Sequence, residues 1–158
     1  MASKTQGTQL FIIDNDATGG PEVLTVQCAI SISGIGGARE QIEVTCLEDV
    51  ARAYESGLIT PGAMSVTIQA DSRNASHIRL HELYVSGTKF DAAIGWGNGT
   101  AVPTIDSAGD FEFATTRDYL EMKDTYIADF PFSFDLNAVV TSEVSFQLSG
   151  LPTWFAKA

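Results

Sequence analysis

Residues 40 to 70 read E-Q-I-E-V-T-C-L-E-D-V-A-R-A-Y-E-S-G-L-I-T-P-G-A-M-S-V-T-I-Q-A, and their pattern predicts a complete strand, helix, strand unit. Ile42, Val44 and Cys46 alternate with Gln41, Glu43 and Thr45, the period-two signature of a strand with one buried face. Thr45 followed three residues later by Glu48 has the spacing of a capping box, so a short helix is expected through Asp49 to Glu55. Leu47, Val50 and Tyr54 share one face of that helix, and Glu48 precedes Arg52 by four residues on the other. Gly57 is placed as the C-terminal cap, and Pro61-Gly62 as the turn that launches a strand with Met64, Val66 and Ile68 inward.

The run from Gly34 to Glu48 (G-I-G-G-A-R-E-Q-I-E-V-T-C-L-E), followed by Tyr54 to Ile68 (Y-E-S-G-L-I-T-P-G-A-M-S-V-T-I), resembles the major tail tube proteins of long, non-contractile-tailed bacteriophages. The likeness continues through H-I-R-L-H-E-L-Y at 77 to 84 and V-V-T-S-E-V-S-F-Q-L-S-G at 139 to 150, in the same order. It implies a structural virion protein without cofactors that assembles as hexameric rings stacked into a hollow tube. DNA would pass through that tube, and tape measure, tail terminator and distal tail proteins would be its partners. The related tubes of contractile tails and secretion-like systems share the pattern and remain the alternative within this class.

Composition sets independent bounds. A chain of 158 residues with 44% hydrophobic content is expected to fold as one domain with its own core. No apolar run approaches the roughly 20 residues of a membrane span, and the polar start Met1 to Gly7 lacks a signal peptide's apolar centre, so folding in a cytoplasm is expected, which the resemblance implies is that of a host bacterium. Nine basic against twenty acidic residues give a net charge of −11. Such a surface cannot clamp nucleic acid by neutralising phosphates, whereas a conduit wall that repels phosphate lets DNA slide. Solubility alone accounts for the acidic charge equally well. Cys28 and Cys46 fall on apolar strand faces and are read as buried, reduced thiols.

Taken in order, residues 1 to 8 form a polar arm and Gln9 to Ile13 a first strand. Asp14 to Pro21 is turn chemistry; Asp14, Asn15 and Asp16 cluster without calcium-loop spacing. Val23 to Ile32 reads as one long strand, with Leu24, Val26, Cys28, Ile30 and Ile32 on one face. Gly34, Gly36 and Gly37 lack a phosphate loop's lysine, so positive φ or a close backbone approach explains them better. Ala75 to Val85 is a helix with Leu80, Leu83 and Tyr84 as its stripe; His77 and His81 lack zinc-site spacing and are read as exposed or interface imidazoles. Lys89 to Trp96 is a strand, Ala101 to Lys123 a peripheral excursion, and Tyr126 to Leu136 a strand with Ala128, Phe130, Phe132, Phe134 and Leu136 on one face, demoted to an edge or bulged at Pro131. Val139 to Ser149 closes the domain with Val144, Phe146 and Leu148 inward.

These readings give a mainly β (α+β) domain, a sandwich or partial barrel of about seven strands with one or two flanking helices. The arms are residues 1 to 8 and 150 to 158. No nucleophile elbow, metal box or acid/base pair supports an enzyme. A monomeric barrel with Trp96, Phe130, Phe132 and Phe134 lining a ligand pocket is the rival outside the tube class. As lumen lining we single out the wet strand faces: Thr25, Gln27, Ser31, Glu43, Ser65, Thr67 and Gln69. The inter-subunit candidates are Asp14, Asp16, Gly34, Gly36, Gly37, Arg39, Trp154 and Phe155.

Overall fold

The computed structural model describes residues 2–15 and 19–158. In chain order the first strands are β1 (Gln9–Asp14), β2 (Glu22–Val26), β3 (Ala29–Ser33), β4 (Gly37–Glu43), β5 (Tyr54–Pro61) and β6 (Ala63–Gln69). Helix α1 (Ala75–Ser86) follows, then β7 (Phe90–Gly95), β8 (Thr104–Ile105) and β9 (Phe111–Glu112). The last strands are β10 (Tyr119–Asp129), β11 (Phe132–Ser133), β12 (Thr141–Gln147) and β13 (Thr153–Phe155). The protein is mostly β, as expected, but only one of the two anticipated helices is present among the described residues.

One antiparallel sheet in the order β2-β1-β7-β10-β12-β6-β3 forms the body, with β11 beside β12 and β13 beside β10. Its first and last strands are joined in sequence by Gln27 and Cys28 alone, so the two ends of the sheet must meet and the body is a partial barrel. Cys28 makes that corner with φ of 57°, and its carbonyl accepts the Gln69 amide at 3.0 Å. The expected single strand over 23 to 32 is therefore two, because its halves pair with opposite ends of the sheet. The corner also turns Cys28 outward, and Cys46 lies on a projecting loop; both are exposed free thiols, against the expectation that they are buried.

β10 carries the sheet round its other bend. Its first part pairs with β7 and its last part with β12, with an irregularity after Met122 and φ of 52° at Asp124. The excursion expected over 101 to 123 thus ends in the start of a central strand, with Tyr119 and Met122 fully covered. A second irregularity between Ile127 and Asp129 shifts the phase expected over 126 to 136. Ile127 and Phe130 are buried, whereas Ala128, Phe134 and Leu136 are exposed.

The main core lies between the two layers. Leu10, Ile12, Ile94 and Met122 on one side share a cluster with Met64, Val66, Ile68, Val144 and Phe146 on the other, and α1 adds Leu80 and Leu83. Phe11, Ile13 and Tyr119 face the opposite way, under a flap made by β8 and β9 that contributes Phe111. This double cover explains why Leu10-Phe11-Ile12-Ile13 shows no alternation. Helix α1 sits where its periodicity predicts and is capped at both ends: Asn74 accepts the Ser76 amide at 3.0 Å, and Gly87 (φ 68°) ends it, its N–H donating to the Leu83 carbonyl at 3.1 Å. It is too short to cross a membrane, and no other helix occurs among the described residues.

The predicted helix over 49 to 55 does not form. β4 and β5 are a two-stranded arm, and the residues between them are its tip. Thr45, expected to cap a helix, instead accepts the Ala53 amide across the tip at 2.9 Å. Asp49 accepts the Cys46 amide at 2.7 Å, closing a turn where the helix was to start. A helix this short needs a surface to dock on. None is provided: Leu47 and Val50, the core of its intended stripe, are fully exposed. Gly57 lies within β5, where a side chain would press on Glu40, rather than at a helix end.

Candidate functional site

Three surfaces carry most of the candidate residues. The first is the outer face of β3, β6 and β12. Ser31 lies beside Thr67, which lies beside Glu143; Ser33, Ser65 and Ser145 form the next row, and Gln69 faces Thr141. Neighbours across a ladder project to the same side, so this face is a polar panel opposite the buried Met64, Val66 and Ile68. No Lys or Arg stands among these residues, and its carboxylate Glu143 accepts the Ser65 hydroxyl at 3.2 Å.

The second surface is the arm. It joins the body at a glycine crossing: the Gly62 amide donates to the Gly36 carbonyl at 2.8 Å, and Gly62's own carbonyl accepts Leu148. A side chain at Gly34 (φ 82°) would meet the Ala63 carbonyl at 2.5 Å, and one at Gly37 would meet Thr60 at 2.7 Å. These two glycines are thus explained within the chain, while Gly36 stands in open space. Arg39 donates to the Gly57 carbonyl across the arm at 3.2 Å.

The third surface is formed by the chain ends. β13 adds to the edge of β10, with Tyr119 opposite Phe155 and Leu120 opposite Trp154. The Trp154 ring stacks on Trp96 at 5.3 Å, and Phe155 lies 4.7 Å from Phe113, yet Trp154 remains 63% exposed. Beside it the buried Arg117 reaches five acceptors: the carbonyls of Gly7, Gly95, Trp96 and Ala101 and the side chain of Gln9. This guanidinium fastens the end of the N-terminal arm to the body.

Comparison with known proteins places this architecture. A family model described as phage tail tube, TTP, lambda-like, matches residues 1–158. The chain belongs to the lambda-like phage tail tube family. "Structural protein 3" of Pseudomonas phage PAJU2 is 40% identical over 98% of this chain and 94% of its own. Among solved structures, the SPP1 tail tube protein shares the fold with a TM-score of 0.66 at 14% identity, covering 98% of this chain and 81% of that one. The tail of an empty GTA particle, refined with C6 symmetry, gives 0.63 at 14% identity, covering 98% and 100%. Tube and terminator subunits of contractile injection systems share the fold as well, so the fold alone does not separate the two kinds of tail. The tail tube protein is a structural component of the virion and not an enzyme.

Within the tail tube protein, four of the seven lumen candidates, Ser31, Ser65, Thr67 and Gln69, come together on the polar panel. The other three lie elsewhere. Thr25 pairs with Phe11 on the flap side, Gln27 sits at the corner with its amide oxygen on Asn74, and Glu43 is on the arm, 3.9 Å from Arg52. Asp14 is buried in an ion pair with Arg79, and Asp16 lies outside the described residues. His77, expected to be exposed or at an interface, is buried within the fold: its Nδ1 accepts the Asp71 amide at 3.0 Å while its Nε2 contacts the Gln27 carbonyl at 2.7 Å. Both nitrogens are thereby used within the fold. Among the described residues no set of three His, Cys, Asp or Glu could hold a metal.

Arg117 escaped the sequence reading because it sits in a polar run without periodicity. So did Glu121, whose pKa is raised by burial against the opposing pull of Lys123. A groove of about 680 Å³ beside α1 is bordered by Ile78, His81, Phe130, Phe132 and Phe134. Three of the four aromatics named for the rival pocket thus line a depression, while Trp96 lies elsewhere and the wall supplied by Ile78 and His81 went unread.

Proposed function

We propose that the protein polymerises as hexameric rings stacked into the tail tube, with the polar panel of β3, β6 and β12 turned to the lumen and DNA passing along it. The panel's chemistry carries this reading. It offers hydroxyls and amides with a carboxylate and no cation, so phosphate finds no Lys or Arg to bind and DNA keeps its own counterions. The net charge of −11 acts in the same direction over longer range.

The arm supplies the reach from ring to ring, and Trp154 supplies an apolar contact for a neighbouring copy. A tail terminator and distal tail proteins close the two ends, a tape measure protein occupies the lumen during assembly, and assembly takes place in the host cytoplasm. The membership of the family and the six-fold tail of the GTA particle support the ring. Negative-stain microscopy of the purified protein at high concentration tests it: rings or hollow rods are expected, and monomers alone under every condition would overturn it.

A further inference from the structure

The arm and the groove stand in a relationship that neither explains alone. β6 begins at Ala63, one residue after the arm's root at Gly62, and ends at Gln69, next to Ala70 and Asp71 on the groove's border. Seven residues of strand separate root from groove by about 20 Å. The two features therefore lie at opposite ends of one strand, and the arm is rooted at the far end as a separate pair of strands that joins no other sheet.

Each is also incomplete. The arm's tip holds Leu47 and Val50 wholly in solvent, and the groove leaves Ile78 and Phe132 each 46% exposed and Phe134 77% exposed. Of the carboxylates on the groove's border, Glu82 is held by Arg79 at 2.8 Å, which leaves Asp71 to meet a cation, while the tip presents Arg52, 74% exposed and 3.9 Å from Glu43. Glu48 works against this charge match, so the apolar pair must carry most of the contact.

We infer that the groove between α1 and β11 is the seat for the arm tip of a second copy of this chain, Leu47 and Val50 entering it with Arg52 toward Asp71. This rests on the tube reading and specifies it: it names which surface receives the arm. A projection at one end and a seat at the other make a head-to-tail contact, which propagates without closing on a pair. Apolar anchors filling an aromatic pocket, with charge at the rim, are the usual anatomy of such a site.

Cys46 sits on the tip and is exposed, which allows a direct test. In a Cys28→Ser background, a cysteine is placed in the groove as Ile78→Cys or, separately, Phe134→Cys, and the protein is treated with a short bis-maleimide. A ladder of covalent multimers is expected from either variant, lost when Cys46→Ser is added and absent when the second cysteine is placed on the flap as Ser107→Cys. Microscopy of the same samples separates the two readings. Tubes without a ladder from either groove position overturn the seat and leave the tube standing; a ladder in short oligomers without tubes supports the seat and overturns the tube; no association of any kind overturns both. A ladder that forms equally from Ser107→Cys overturns the seat.

Discussion

Arg79 and Asp14 form a two-bond ion pair, Nε to Oδ2 at 2.6 Å and Nη2 to Oδ1 at 2.8 Å, that fastens α1 to the end of β1. Asp14 is buried and Arg79 holds Glu82 as well at 2.8 Å, so the arginine is the hub of the helix's attachment. Arg79→Met removes the cation from a carboxylate already out of water and is expected to cost about 3 kcal/mol. Urea unfolding measures it, and Asp14→Asn in the same chain should recover part of the loss. Full additivity of the two would show that the pair is not coupled.

Arg117→Met should be among the most damaging single changes in the body. It strands four backbone carbonyls and the Gln9 side chain in a buried site, where each lost partner costs about 1 kcal/mol or more. Hydrogen exchange across residues 5 to 9 is expected to rise sharply while that of β6 and β12 changes less. Lysine cannot substitute, because a single ammonium lacks the five donors of the guanidinium.

Glu121 gives a pH signature of defined sign. Burial raises its folded-state pKa above the ordinary value of 4.5, so the native state holds the proton more tightly than the unfolded chain. Its contribution to stability is fully present below about pH 4.5 and is lost as pH rises through the folded pKa. Glu121→Gln should therefore raise Tm at pH 7, with the gain shrinking toward pH 4. A gain that is the same at both pH values would show that charge is not the cause.

Thr67→Lys places a cation in the middle of the polar panel. Tubes are expected to form, but virions built from the variant should release DNA more slowly at low salt than at high salt, since phosphate contacts are screened and competed by ions. Ser107→Lys on the flap is the matched control. Equal release by the two variants at low salt would remove the panel from the lumen.

Trp154→Ala should lower monomer stability by less than about 1 kcal/mol, because more than half of the ring is already in water and only its stacking on Trp96 is lost. Tube formation, followed by light scattering, should fall much more. A large loss of stability in the monomer would mean that the tail belongs to its own core.

The readable parts of the chain were those where one face is wet and one is dry. β6, β12 and α1 sit where their periodicity puts them, and Val66, Val144 and Leu80 are fully buried as expected. The arm was misread because its alternation has the form of a buried strand, whereas every residue of β4 is exposed. A pattern written for a partner cannot be told from one written for a core. The long strand over 23 to 32 hid its corner for a related reason: Cys28 continues the apolar alternation, and nothing in its chemistry announces a left-handed backbone. Of the candidate surfaces, the panel was legible because hydroxyls alternate with aliphatics on three strands. The groove was legible only in part: Phe130, Phe132 and Phe134 could be named for a pocket, but nothing in the helical pattern marked Ile78 and His81 as its other wall.

The two-residue corner between β2 and β3 also acts as a ruler. Flap, arm and tail can lengthen without altering the body, but an added residue between Gln27 and Cys28 would widen the girth at which the sheet meets itself. In the stacked rings proposed above, the number of copies that tile one circumference would follow from that girth, and the calibre of the conduit would be counted out in a link of two amino acids.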